Sequence, residues 1–254
     1  MKLKSKEEIE IMREGGRRHA EILRKLAGMV QPGVSTLELE EEARRLVEEN
    51  GDRPAHLHYL PMGAKRPFPA VLCISINDEI VHGIPNEEVK VLKDGDVVSI
   101  DLSVWHKDLV TDSAITVPCG EVSKEAKELL RATKLALEKG IAVAKPGNHI
   151  GDIGSAISQS VRESGFSLAE DLAGHGVGYN IHEDPFVPNN GLPGRGEELR
   201  PGLVIAIEPM VTAGKGGIKQ MDDGYTIKTR DGSIAAHFEH TVAITEKGNI
   251  ILTA

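Results

Sequence analysis

Apolar residues recur at helical spacing over residues 5–29. Ile9, Met12, Ala20, Ile22, Leu23 and Leu26 follow a Ser5/Glu8 pair with the form of a capping box, which predicts a helix broken by Gln31-Pro32-Gly33. A second helix is predicted over 35–50, from Ser35 as N-cap to Gly51 as terminator. Residues 70–76 (AVLCISI), 95–105 and 109–117 read as strands. In 95–105 the alternation puts Val98, Ile100, Leu102 and Val104 on one face and Val97, Ser99, Asp101, Ser103 and Trp105 on the other. The strand 109–117 carries Val110, Asp112, Ala114 and Thr116 on one parity.

The same plan then recurs. Ser123 and Glu125 open a helix expected to run to about 144, Lys145-Pro146-Gly147 breaks it, and a fourth helix is expected over 150–163, ending near Gly165. Pro146-Gly147 and Gly165 each lie 114 residues beyond Pro32-Gly33 and Gly51. GDVVSID at 95–101 and GLVIAIE at 202–208 both run from a glycine through an apolar strand to a carboxylate six residues on. These matches point to an internal repeat. No Pro- or Ser-rich linker divides the chain, so residues 1–254 are expected to form a single domain with halves 1–120 and 121–254 sharing one site.

Composition narrows the possibilities. Of 254 residues, 40% are hydrophobic and 27% charged, as in an ordinary globular chain. Lys and Arg number 30 against 39 Asp and Glu, a net charge of −9 that argues against a DNA partner or an anionic membrane surface. The two cysteines, Cys73 and Cys119, form no CxxC pair, which excludes a disulfide framework and a zinc–thiolate structural site. Apolar runs such as LVIAI at 203–207 are too short to span a bilayer, and MKLKSKEEIE at the start has no apolar signal core. A cytoplasmic location is expected.

The chemistry lies in a set of carboxylates and histidines. A hairpin centred between His106 and Lys107 would set Asp101 directly opposite Asp112, with their Cβ atoms about 4.5–5.5 Å apart. Two ionised carboxylates that close repel, so one takes up a proton or a cation lies between them; another register would leave both solvated. Further ligand-type residues favour the cation: His175 and His182 in GHGVGYNIHEDP (174–185), Glu208 at the end of an apolar strand, and Glu239 in HFEHT (237–241). Two Asp, one His and two Glu suffice for a pair of ions about 3.5–4 Å apart, the hydrolytic two-metal arrangement. Phosphate-binding, serine-nucleophile, zincin and dinucleotide motifs are all missing. Cys73, inside a strand, reads as packing rather than as a nucleophile.

Taken together, CISINDEIVHGIP (73–85), IDLSVWHKDLVTDSA (100–114), GHGVGYNIHEDP (174–185), IEPMV (207–211) and FEHT (238–241) resemble the type I, bacterial kind of methionine aminopeptidase in the M24 metallopeptidase family. The resemblance runs over essentially the whole chain. It implies an α+β "pita-bread" fold, a curved antiparallel sheet flanked by helices in two pseudo-symmetric halves. It implies a single catalytic domain that removes the N-terminal methionine from nascent proteins and peptides, preferring a small second residue. The matching metal ligands are Asp101, Asp112, His175, Glu208 and Glu239, for two divalent ions (Co, Mn, Fe(II) or Zn). Asp112 and Glu239 would bridge the ions, Asp101 would complete one shell, and His175 with Glu208 the other.

Within that resemblance, His82 and His182 match the two non-ligand histidines that hydrogen-bond the scissile amide and the tetrahedral intermediate, and Glu208 is also a proton shuttle. A methionine pocket is expected from Tyr59, Phe68, Cys73, Tyr225 and Phe238. The loop LPMGAKRPFP (60–69) is longer than usual, with Phe68 in place of a tyrosine. The expected partners are a peptide or nascent polypeptide and, transiently, the ribosome, for a monomer that touches no membrane. Two other readings stand beside this one. A proline-specific peptidase of the same fold usually carries a further N-terminal domain. A non-catalytic ribosome- or RNA-binding relative would have lost ligands, and all five are here.

Overall fold

The computed structural model describes residues 1–254. Helix α1 spans Lys6–Met29 and α2 spans Thr36–Glu49. Each begins with a reciprocal capping box. Ser5 Oγ accepts the Glu8 N–H at 3.2 Å while the Glu8 carboxylate accepts the Ser5 N–H at 2.7 Å, and Ser35 with Glu38 repeats this at 3.2 and 2.8 Å. Helices α3 (Lys124–Val143) and α4 (Ile150–Glu163) follow in the second half, with Ser123 Oγ accepting the Ala126 N–H at 3.1 Å. No helix is long and apolar enough to cross a membrane.

Eight strands frame the site: β1 (Leu72–Ile76), β2 (Val97–His106), β3 (Leu109–Pro118), β4 (Ala173–Gly176), β5 (Glu183–Pro188), β6 (Val204–Ile207), β7 (His240–Thr245) and β8 (Gly248–Ile251). In the first half β2 pairs antiparallel with β1, β3 and the short Arg53–Pro54 strand. In the second half the order is β8-β7-β6-β4-β5, also antiparallel.

The helices cover one face of each half. Ile22, Leu26, Leu39 and Leu46 of α1 and α2 pack on Ile74, Val98, Ile100, Leu102 and Val104. Leu137, Ile141, Ile153 and Ile157 of α3 and α4 pack on Ile205, Ile207, Val242 and Ile244. Each such side chain, fully buried, contributes about 1.5–3 kcal/mol. Because strand residues alternate, Ser99, Asp101 and Ser103 are turned to the other face, away from the helices.

The repeat expected from the sequence is present in the hydrogen bonds. Gly33 N–H bonds Leu92 O at 2.9 Å and Leu92 N–H bonds Val34 O at 2.8 Å; Gly147 with Leu199 and Leu199 with Asn148 do the same at 3.0 and 2.7 Å. Gly95 N–H reaches Cys119 O, and its counterpart Gly202 N–H reaches Ile244 O, both at 2.9 Å. Asp101 and Glu208 therefore occupy equivalent positions in the two halves.

The β2–β3 hairpin differs from expectation in register. Its turn is Lys107-Asp108, both with positive φ (45° and 63°), and His106 pairs with Leu109. Asp101 faces Ala114, and Asp112 faces Ser103. A two-residue hairpin needs left-handed backbone at both turn positions, which an aspartate tolerates better than the His106-Lys107 pair would. The slip is by two residues, so Asp101 and Asp112 keep the same face as diagonal rather than direct neighbours.

Candidate metal centre

The two halves meet where β3 runs beside the segment leading into β7. Glu239 N–H bonds Ala114 O at 3.0 Å, Ser113 Oγ donates to Glu239 O at 2.8 Å, and Thr241 Oγ1 donates to Asp112 O at 2.7 Å while accepting the Asp112 N–H at 2.9 Å. These bonds fix Asp112 against Glu239. Glu208 follows β6, and His175 lies on the neighbouring β4. That strand must pass close, because a side chain at Gly174 would stand 2.3 Å from Ala206 O.

The five expected ligand residues come together. His175 Nε2 lies 3.4 Å from Glu208 Oε1 and 3.8 Å from Asp112 Oδ2. Asp112, His175 and Glu239 each offer a donor atom within 4.8 Å of the other two. His175 Nδ1 donates to Gly176 O at 2.9 Å, which leaves Nε2 as the lone-pair nitrogen facing the carboxylates.

The electrostatics of this cluster are those of a site made for cations. Burial, reinforced by the neighbouring carboxylates, pushes the Asp101, Glu208 and Glu239 carboxyls well above the usual range. Burial raises Asp112 to about 7 against the lowering effect of the Ser103 hydroxyl. No lysine or arginine pairs with any of the four; the basic side chains within 4.0 Å of them are all histidines. Asp101 Oδ1, Asp112 Oδ1 and Glu239 Oε1 are buried without a hydrogen-bond partner. Orphaned oxygens of this kind carry a large desolvation penalty unless a cation or proton meets them. Four carboxylates with one imidazole suit borderline divalent ions such as Mn, Fe(II), Co or Zn.

A cavity of about 1380 Å³ opens onto the cluster. His82 and His182 both line it. His182 Nδ1 lies 2.8 Å from Tyr59 Oη, and its ring meets His175 edge-on at 4.4 Å. Burial holds His82 down to about 4 and lowers His182 as well, so both rings are neutral at neutral pH. His82 has φ 60°, and Gly83 after it lies so close to β1 that a Cβ there would stand 2.0 Å from Ile74 O.

Phe68, Cys73 and Tyr225 form one apolar cluster with Ala70 and Ile84, and the Phe68 and Tyr225 rings meet edge-on at 5.1 Å. The Tyr225 hydroxyl donates to Arg66 O, tying the 60–69 loop to the cavity wall. Phe238 departs from expectation. It packs toward the α3–α4 core and lines a separate groove behind the sheet, because its neighbour Glu239 takes the cavity-facing position.

Two histidines were not singled out from the sequence. His237 is buried with its Nε2 3.6 Å from Glu208 Oε2 and 3.9 Å from Glu239 Oε2, and its parity with Glu239 in HFEHT was the available signal. His56 sits 4.0 Å from Asp101 Oδ1 in a loop with no periodic pattern to mark it.

Comparison with known proteins agrees with this geometry. The model of metallopeptidase family M24 matches residues 10–246. A methionine aminopeptidase from Aquifex aeolicus is 50% identical over 255 residues, covering 100% of this chain and 98% of its own. The crystal structure of a methionine aminopeptidase from Thermotoga maritima has a TM-score of 0.94 at 41% identity, covering 100% of this chain and 99% of its own. The prolidase from Pyrococcus horikoshii shares the fold alone, with a TM-score of 0.75 at 24% identity, and this chain covers 63% of it. The α+β pita-bread architecture is thereby established, and neither the proline-peptidase nor the non-catalytic alternative is favoured. The chain belongs to metallopeptidase family M24, among the bacterial-type methionine aminopeptidases.

Proposed function

We propose that the chain removes the N-terminal methionine from peptides and nascent proteins whose second residue is small, using two divalent cations. The observation that carries this is the convergence of four buried carboxylates and His175, from both halves, with three orphaned oxygens and no cationic side chain paired to them. Asp112 and Glu239, locked together by the Thr241 and Ser113 bonds, would be shared between the two cations. Asp101 would help to hold one cation, and His175 with Glu208 would help to hold the other. When bound, such a pair lowers the pKa of a shared water and polarises the substrate carbonyl.

The protein's own groups do the rest. The methionine side chain enters between Phe68, Cys73 and Tyr225, with Tyr59 beside it, where a thioether packs well on aromatic edges. His82 and His182, both neutral, hydrogen-bond the scissile amide and the carbonyl oxygen as it gains charge. The Tyr59 hydroxyl fixes the orientation of His182. Glu208, its carboxyl pushed up by burial, moves a proton between the attacking water and the leaving amine. All five ligands come from one chain folded as one catalytic domain, so the working unit is a monomer. The reaction is assigned to the cytoplasm, with any ribosome contact transient.

The test strips the protein of metal, restores Mn(II) or Co(II), and offers Met-Ala-Ser, Leu-Ala-Ser and Ala-Pro-Ser, read by mass spectrometry. Metal-dependent loss of methionine alone is expected. Cleavage of Ala-Pro-Ser alone, or of nothing under any metal, would overturn the reading.

A further inference from the structure

A second ligand cluster adjoins the five-residue set. Cys73 on β1 stands directly opposite Asp101 on β2, so their side chains share a face. His56 is held over them by its backbone. Ala55 N–H bonds Ser103 O at 2.9 Å, and Tyr59 N–H bonds His56 O at 2.9 Å. His56 Nε2 lies 2.8 Å from Ser103 Oγ and Nδ1 lies 4.0 Å from Cys73 Sγ. Ser103 stands opposite Asp112 on the same face. A hydroxyl oxygen accepts readily, so Ser103 Oγ serves as acceptor for His56 Nε2–H. Nδ1 is then the lone-pair nitrogen, facing the thiol. Asp101 Oδ1, buried and without a hydrogen-bond partner, lies 4.0 Å from Nε2 of the same ring. One donor atom from each of the three residues lies within 4.8 Å of the other two.

We infer that His56, Cys73 and Asp101 form a third cation site, for a thiophilic divalent ion such as Zn(II), Cd(II) or Co(II), whose filling blocks the methionine pocket. The inference rests on the reading of Asp101 as a carboxylate of the dinuclear centre and of Cys73 as a pocket wall. A tetrahedral ion with bonds of about 2.0–2.3 Å to nitrogen, oxygen and sulfur needs the donors to close by about 1.5 Å or less. On binding, a metal–sulfur bond forms and the Cys73 S–H proton is released to solvent. A thiolate with an imidazole selects softer ions than the oxygen-rich centre does. The ion would sit beside Cys73 and between His56 and Phe68, whose rings meet at 6.0 Å, in the space proposed for the substrate's methionine.

The test loads the protein with two equivalents of Co(II), confirms methionine release from Met-Ala-Ser, and adds more Co(II) while near-ultraviolet absorption is followed. Cobalt–thiolate bonds absorb there, and oxygen and nitrogen ligands do not. The expected result is no band through the second equivalent and a band growing beyond it, with a rise in KM and little change in kcat. Cys73→Ser should abolish the band, and His56→Gln should demand about 10- to 100-fold more Co(II) to produce it. A band complete at the first equivalent, no band at any ratio, or a band that survives in Cys73→Ser would overturn the inference. Should Cys73→Ser not fold, zinc-edge X-ray absorption of the wild-type protein decides, by the presence or absence of a sulfur neighbour at about 2.3 Å. The band does not depend on turnover, so a loaded protein that shows it but releases no methionine would count against the functional reading and not against the site.

Discussion

Asp112 sits where a carboxylate has least reason to be ionised, beside other carboxylates and out of water, and burial raises it to about 7. A residue so placed destabilises the metal-free fold and is retained for what it binds. Asp112→Asn should therefore raise the urea midpoint of the metal-free protein at pH 7 while lowering kcat/KM by more than about 100-fold, the upper cost of losing even an outer partner of a ligand. A lower midpoint would show that the cluster is relaxed without a cation. His19 makes the opposite case. It is buried against Thr111, 3.1 Å away, and burial with nearby His240 lowers it to about 3. Its folded pKa lies below its unfolded value of about 6.5. Its stabilising contribution is thus present above pH 6.5 and is lost as pH falls toward 3, because only the unfolded chain takes up the proton in that window. Urea unfolding from pH 7 to pH 4 should show a shallower loss in His19→Gln than in the wild type; equal slopes would refute the assignment. Sequence reasoning reached Asp101, Asp112 and Glu208 because each ends or interrupts an apolar strand, and reached His175 and Glu239 from the motifs around them. It missed His56 because that residue acquires its meaning only from the Ser103 and Cys73 strands that fold against it.

Elements were the most legible level. All four helices begin and end within a residue or two of the expected bounds, because caps, Pro-Gly breaks and apolar spacing agree locally. Register was less legible, since it is set by turn geometry rather than by the strands. The Lys107-Asp108 turn holds two non-glycine residues at positive φ, so the hairpin carries local strain of about 1–2 kcal/mol per residue. Asp108→Gly should relieve part of it. The substitution removes the Arg53–Asp108 pair at 2.9 Å, but Asp108 is almost fully exposed and such a pair is worth about 0–1 kcal/mol. A gain of roughly 0.5–1 kcal/mol in unfolding free energy is expected by urea titration, with methionine release unchanged. A loss would mean that the exposed ion pair, rather than the turn, holds the hairpin.

At the scale of the whole molecule, the repeat gives the site its logic. Asp101 and Glu208 occupy equivalent positions in the two halves, and the seam between the halves runs through Asp112, Thr241 and Glu239. Divalent metal held by the proposed ligands would grip both halves at once, whereas the unfolded chain offers those side chains separately. Binding to the folded state alone contributes about 2.7 kcal/mol at a hundred times Kd. Mn(II) or Co(II) should accordingly raise the melting temperature of the stripped protein, and the rise should shrink in Glu239→Gln, which removes a proposed ligand carboxylate. Thr241→Val separates metal from seam. It removes a hydroxyl that bonds both the N–H and the carbonyl of Asp112, at 2.9 and 2.7 Å, and leaves buried backbone groups unsatisfied, at a loss of about 1–3 kcal/mol. If the seam positions the bridging carboxylates, Thr241→Val lowers both the metal-free melting temperature and the further rise on adding metal. If the metal alone organises the site, the variant loses only the first and the metal increment stays at its wild-type size.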